Sequence, residues 1–204
     1  MFTPWIGQNY GSQSEFPRTL ILGESHYGPT NSSEPNNKTI RCIEDQIVNN
    51  CPYRFFTRLV SSLTGKKPTL EEKKCFWRRV AYHNLIVEAL ERSRQCPNPA
   101  QWERSIKTLP TVILNLVTPT PEYCIVLGYR MWDRLRGQFD FTPLSLSVDP
   151  GPCGVVESKS MRCFFQGMKH PSGKGFVNSQ WTVWTDNFVK QQWPDKTFHW
   201  ACQN

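Results

Sequence analysis

Short apolar runs that stop at glycine, each followed by a segment of helical spacing, leave this chain few ways to fold. Thr19-Leu20-Ile21-Leu22 stops at Gly23, and Cys124-Ile125-Val126-Leu127 stops at Gly128. Runs of four or five apolar residues fit strands buried on both faces. After the first run, Ile40, Ile43 and Ile47 repeat at helical spacing. Pro52 opens a second helix with Phe55, Phe56, Leu59, Val60 and Leu63 on its inner side, and Gly65 ends it. Thr69 caps a third helix that carries Glu71 and Glu72 in its first turn. Residues 80–84 read as a second strand. Residues 100–107 and 111–117 read as helices split by Pro110.

Residues 123–127 form the clearest strand, and its helix packs through Trp132 and Leu135. Residues 145–160, rich in Pro, Gly and Ser, read as a loop before a last strand at 162–168. Trp181, Trp184 and Phe188 make the inner stripe of a final helix. Strands alternating with helices predict an α/β protein. The expected form is a three-layer α/β/α sandwich on a central four-stranded, mostly parallel sheet. Its 204 residues make one domain, 1–204.

Composition narrows the partners. Hydrophobic residues reach 38%, enough for an ordinary core, and disorder, collagen and coiled coil are excluded as the main state. No apolar run approaches the ~20 residues of a membrane span. The start, Met1-Phe2-Thr3-Pro4-Trp5, lacks the basic and apolar regions of a signal peptide. A soluble, cytoplasmic monomer is expected. Lys and Arg number 24 against 17 Asp and Glu, a net charge of +7, and aromatic residues reach 13%. Basic plus aromatic character suits a phosphate backbone and stacked bases, so a polyanionic partner competes with a Trp-rich core under a basic surface. The eight Cys contain no C-x-x-C pair. Free thiols are expected. Cys42, Cys51, Cys75 and Cys96 are enough for an iron–sulfur cluster, but their intervals are irregular. No metal or cofactor is expected.

Sites in parallel sheets lie at the carboxyl ends of strands. The first strand runs into Gly23-Glu24-Ser25-His26-Tyr27, the second ends at His83-Asn84, and the last runs into His170-Pro171-Ser172-Gly173-Lys174-Gly175-Phe176. These motifs, in this order, resemble the uracil-DNA glycosylase superfamily over residues 18–188. In that family the first strand ends in G-Q-D-P-Y or G-E-A-P-G, a middle strand ends in a base-reading Asn, matched by Asn84, and the last strand gives H-P-S, matched by His170-Pro171-Ser172. A third strand runs into a Gly and an aromatic, like Gly128 and Trp132 here. The resemblance implies a monofunctional DNA glycosylase that flips a nucleotide and hydrolyses its N-glycosidic bond.

The residue chemistry supports the same assignment. Cleaving a base–sugar bond builds positive charge on the sugar and negative charge on the base. Glu24 suits the first and His170 the second. Asn84, with one acceptor and two donors, suits a pyrimidine edge. Tyr27, Ser25 and His26 would shape the base pocket. Ser172, Gly173 and Lys174 would grip phosphate, and Phe176 would fill the vacated stack. Each residue also has a purely structural reading: Glu24 capping the turn or paired with a surface cation, His170 bonded to a carbonyl, Asn84 as a helix N-cap, Phe176 in the core, Lys174 on solvated surface. His83 sits nearer to core than to chemistry.

The motifs also depart from the family. Ser25 stands where one branch has its water-activating Asp, and His26 stands where that branch has Pro. The four-Cys pattern of the other branch is not reproduced. The polar segment 30–37 and the segment 145–160 are placed to act as lids. These departures point to a substrate larger than uracil, such as hydroxymethylated or glucosylated cytosine in phage DNA, and so to antiviral defence, although a Tyr at position 27 crowds a 5-substituent. Removal of uracil in DNA repair is the alternative, and a non-catalytic DNA-binding relative is another. DNA, as a duplex with a flipped base or as a single strand, is the expected partner. A Ser25/His26 hydrolase ranks low because the second Gly of G-x-S-x-G is missing.

Overall fold

The computed structural model describes residues 1–12, 16–28, 36–51, 53–92, 95–144, 151–159 and 161–196. It is an α/β structure with six α-helices and a mixed seven-stranded sheet. The strands are β1 (Trp5–Ile6), β2 (Thr19–Gly23), β3 (Ala81–Asn84), β4 (Tyr123–Leu127), β5 (Thr142–Pro143), β6 (Cys153–Ser158) and β7 (Met161–Met168). The helices are α1 (Lys38–Ile47), α2 (Arg54–Thr64), α3 (Leu70–Arg79), α4 (Pro99–Thr111), α5 (Tyr129–Arg136) and α6 (Asn178–Gln192). The order across the sheet is β1-β3-β2-β4-β7-β6-β5. Pairs β3–β2, β2–β4 and β4–β7 are parallel, and the outer pairs are antiparallel.

The sheet is therefore wider than the expected four strands. Its extra members hide in the sequence for a physical reason. β1 and β5 have two residues each, too few to show a period. β6 lies in the segment read as a loop, where Pro and Gly neighbours mask the hairpin-like pairing of Val155 with Phe164. Residues 145–150 and 160 of that segment lie outside the described residues, as do 30–35 of the other proposed lid and Pro52.

Alternation along the strands sends side chains to opposite faces. Ile21, Tyr82, Ile125 and Leu127 pack with Phe56, Leu59 and Leu63 of α2, Phe76 and Trp77 of α3, and Trp181 and Phe188 of α6. Leu20, Leu22, Ala81, Cys124 and Val126 pack with Trp102, Ile106 and Leu109 of α4 and Met131, Trp132 and Leu135 of α5. Burying one such Leu or Phe contributes roughly 1.5–3 kcal/mol.

Local signals place several helix ends. Thr69 and Glu72 form a capping box on α3, and Asn98 and Gln101 form another on α4. Each cap contributes about 1 kcal/mol. Pro110 does not split the chain into two helices. α4 runs through it, and Val112–Leu116 then widens into a π-helical turn closed by Val117 N–H to the Val112 carbonyl at 2.9 Å. A proline lacks an N–H and crowds the preceding turn, so the ladder loosens there without ending. After α6, Trp193 docks on the rings of Tyr123 and Phe164, at 5.8 and 5.1 Å. Among the described residues no helix is long and apolar enough to cross a membrane. Cys75 is disulfide-bonded, so the expectation of free thiols fails there.

Candidate active site

β2 pairs with β3 on one side and β4 on the other. The chain moves outward from β2 to β3 and then returns past β2 to β4, so the connections leaving β2 and β4 part in opposite directions. In sheets of this kind such a reversal is where ligands bind, outside the carboxyl ends of the strands. Glu24 follows β2 there, and Arg130 lies in the first turn of α5, just after β4. Asn84 ends β3 opposite Gly23, and His170 lies two residues beyond β7. Backbone bonds tie this edge together: Leu85 N–H to the Gly23 carbonyl, Ile86 N–H to the Glu24 carbonyl, and Gly128 N–H to the Met168 carbonyl.

Glu24 and Arg130 form a two-point ion pair. Arg130 Nε donates to Oε2 at 2.9 Å, and Nη2 donates to Oε1. A guanidinium fork meeting a carboxylate holds the carboxylate in orientation as well as charge. The Glu24 side chain is 11% exposed and that of Arg130 47% exposed, so the pair sits at the mouth of the crevice. Arg130 Nη1 also bonds Cys96 Sγ.

His170 Nδ1 accepts the backbone N–H of Ser172 at 3.2 Å. An imidazole that accepts at Nδ1 carries its proton, when neutral, on Nε2. Burial lowers the pKa of His170; Glu24 opposes that shift, and Arg130 adds to it. The ring is therefore a neutral donor near pH 7. It lies against Phe55, with ring centroids 5.1 Å apart, and against Gly128, whose φ of 115° only glycine adopts readily.

Asn84 is buried, and its Oδ1 accepts the Tyr82 hydroxyl at 2.8 Å. Tyr82 packs edge-on to Phe56, Phe56 to Phe55, and Phe55 to His170. A continuous aromatic wall thus joins the amide to the imidazole.

The other expected site residues are placed as follows. Tyr27 is 38% exposed and close enough to act electrostatically on the Tyr82 hydroxyl, so it shapes the mouth. Ser25 Oγ is buried and makes no hydrogen bond among the described residues. His26 does not line the pocket. It is 5% exposed, pairs Nε2 with Thr39 Oγ1 at 2.8 Å and meets the edge of Phe2. Burial, with Lys38 and His83 nearby, pushes its pKa down to about 3, so it stays neutral. Phe176 is not a wedge. It is 6% exposed, stacked near Trp181, with the Arg58 guanidinium 5.0 Å above its ring. The exposed apolar side chain next to it is Val177.

Ser172 and Lys174 are exposed, and Gly173 N–H closes the turn onto the His170 carbonyl at 2.7 Å. Arg58 and Lys169 bond the carbonyls of Phe176 and Gly175, and Arg54 lies one turn from Arg58 on α2. No ion pair engages Arg54, Arg58, Lys169 or Lys174 among the described residues, so their charge is not cancelled locally.

Sequence reasoning missed Arg130, Tyr82 and Phe55. Arg130 was in principle visible, because it follows a strand that stops at Gly128. Tyr82 and Phe55 carried no signal that separates them from core. An open depression of about 730 Å³ along α3 competes as a site. Its carboxylates are already engaged, Glu71 by Lys74 and Glu72 by Lys66 and the Thr69 cap, and no imidazole lines it. Among the described residues no three metal-ligating side chains cluster. No protein-family model and no curated protein matches the chain.

Proposed function

We propose that this protein is a monofunctional DNA glycosylase of uracil-DNA glycosylase-like architecture, acting on a flipped pyrimidine nucleotide. The carrying observation is that a carboxylate, an imidazole and a buried amide lie at the carboxyl ends of neighbouring parallel strands, with Glu24 near enough to act on His170. The four parallel strands with helices on both faces support the three-layer arrangement. In the reaction the bond from C1′ to the base nitrogen breaks, and its electron pair leaves with the base. His170 Nε2–H donates to the base oxygen that gains charge. Glu24 faces the cationic sugar and takes the proton of the water that adds to C1′. The products are the free base and an abasic site.

Asn84 reads the base edge, and Phe55 offers the ring face on which it lies. Arg54, Arg58, Lys169 and Lys174 supply phosphate contacts. Tyr27 is exposed rather than buried in the floor, which is compatible with a modified pyrimidine. The Lys within the motif loop, Lys174, is exposed rather than buried in the site, which favours water over a Schiff base.

The test follows free-base release by mass spectrometry. The substrates are DNA containing uracil, unmodified DNA, and DNA carrying hydroxymethylated or glucosylated cytosine. Release of one base is expected, reduced roughly a thousandfold by Glu24→Gln with DNA binding retained. Binding without release from any of these DNAs would replace the enzyme with a non-catalytic binder, in which Ser25 marks lost water activation.

A further inference from the structure

We propose that Arg130 is a positioning residue whose two-point hold on Glu24 sets the angle at which that carboxylate faces the sugar. The inference rests on the glycosylase reading above and deepens it by naming what aims the carboxylate.

All three nitrogens of the guanidinium are engaged: Nε donates to Glu24 Oε2 at 2.9 Å, Nη2 donates to Oε1, and Nη1 donates to Cys96 Sγ at 2.7 Å. Glu24 follows β2, Cys96 lies between β3 and α4, and Arg130 sits in the first turn of α5 after β4. One side chain thus ties together the segments that leave three neighbouring parallel strands. A planar fork matched to both carboxylate oxygens fixes the plane of the carboxylate, which a single ammonium cannot do. The thiol on Nη1 braces the fork itself against rotation.

An ordinary surface pair looks different. Lys74–Glu71 and Lys107–Glu103 join neighbours on one helix through a single ammonium, and such exposed pairs contribute little. Arg130 instead reaches across 106 residues of sequence to a side chain that is only 11% exposed. Helix polarity does not explain its place either. The first turn of α5 is the positive end, where a cation is disfavoured, and Arg134 and Arg136 occupy the favourable last turn. Glu24 is the group that accounts for a cation at that position.

A carboxylate has about four acceptor sites, and the fork occupies one on each oxygen. The other sites are the ones that can meet the cationic sugar and the water that adds to it. Without the fork the carboxylate turns about its last bond, and the productive angle becomes one of several. Misplacement of a reacting group by a fraction of an ångström to an ångström is enough to slow a reaction strongly.

The experiment uses the full chain and DNA containing uracil or carrying hydroxymethylated or glucosylated cytosine, whichever the wild type acts on. Arg130→Lys keeps the charge and loses the fork, and Arg130→Gln loses both. The value of kcat should fall about tenfold in Arg130→Lys and about a hundredfold in Arg130→Gln, with KM changed less than about twofold. A thermal melt confirms that both variants fold. The decisive readout is Arg130→Lys made in the Glu24→Gln background. A residue that acts through the Glu24 carboxylate has nothing left to aim there, so the further loss should be no more than about twofold. An equal loss in both backgrounds overturns the proposal, and so does an unchanged kcat in Arg130→Gln. A raised KM with kcat intact, and a salt dependence of DNA binding lower by about one ion, would make Arg130 a phosphate contact and overturn it as well. No base release by the wild type from any of these DNAs would remove the glycosylase reading itself and this role with it, whereas release unaffected by the Arg130 variants removes the role alone.

Discussion

The loop after β2 and the loop after β7 carry the same kind of motif but spend their residues in opposite ways. Each leaves one polar side chain at the crevice, Glu24 in the first and His170 in the second. Each also turns a second residue of its motif into the interior, His26 in the first and Phe176 in the second. The two imidazoles show what decides. His26 uses Nε2 on Thr39 and has its ring against Phe2, so it ties the loop to α1. His170 uses Nδ1 on its own turn, so its other nitrogen, Nε2, is the one that carries the proton of the neutral ring. A histidine's role follows from which nitrogen the surrounding structure has already engaged.

The largest expected break in this comparison is a pair of alanine variants. His170→Ala should cut base release roughly a hundredfold or more while leaving the melting transition nearly in place, because the cost falls on the departing base. His26→Ala should do the reverse. It leaves the buried Thr39 hydroxyl without its partner and opens a cavity, and a loss of about 2–3 kcal/mol in urea unfolding is expected. Folded His26→Ala protein should keep most of its turnover. Matching losses of activity in the two variants, at conditions where both are folded, would erase the distinction drawn here.

A smaller effect concerns acid. Burial lowers His26 to about 3 and His83 to about 4, against 6.5 for the free side chain. Above pH 6.5 both are neutral folded or unfolded, and their contribution to stability is complete. Below 6.5 the unfolded chain takes up protons that the folded chain refuses. Stability should therefore fall as pH drops from 6.5 toward about 4, by roughly 1.4 kcal/mol per pH unit for each histidine. Urea midpoints at pH 7 and pH 5 measure it, and His26→Ala should remove its share of the slope. A flat profile between those pH values would mean that neither ring is as buried as the structure has it.

The smallest expected effect is at the surface. Lys174→Ala should weaken DNA binding about threefold and lower the salt dependence of the binding constant by about one ion, equally for all sequences. A loss confined to one sequence would place Lys174 at a base edge instead.

The α/β alternation was readable because its strands are buried on both faces and its helices show clear stripes. The stops at Gly23, Gly65 and Gly128, and the Thr69 cap, act through local backbone and hydrogen-bond preferences that need no tertiary partner. The strand-end rule then selected Glu24, Asn84 and His170, because in a parallel sheet carboxyl ends must share an edge. Two-residue edge strands left no pattern to read, and the β6 strand was hidden by its Pro- and Gly-rich surroundings. The passage of α4 through Pro110 escaped too, since packing of Leu109 and Val112 in the core outweighs one lost backbone bond.

Residue type and spacing alone determined the α/β alternation, the sheet edge where Glu24, Asn84 and His170 gather and the net positive charge that favours a polyanion. These follow from period, backbone preference and composition, which are local or summed properties. Only the tertiary structure decided that His26 and Phe176 face inward, that Arg130 holds Glu24, and that the Tyr82 hydroxyl meets the Asn84 amide. Each of those depends on which atoms, far apart in the chain, come within a few ångströms, and an orientation of that kind has no counterpart in the order of residues.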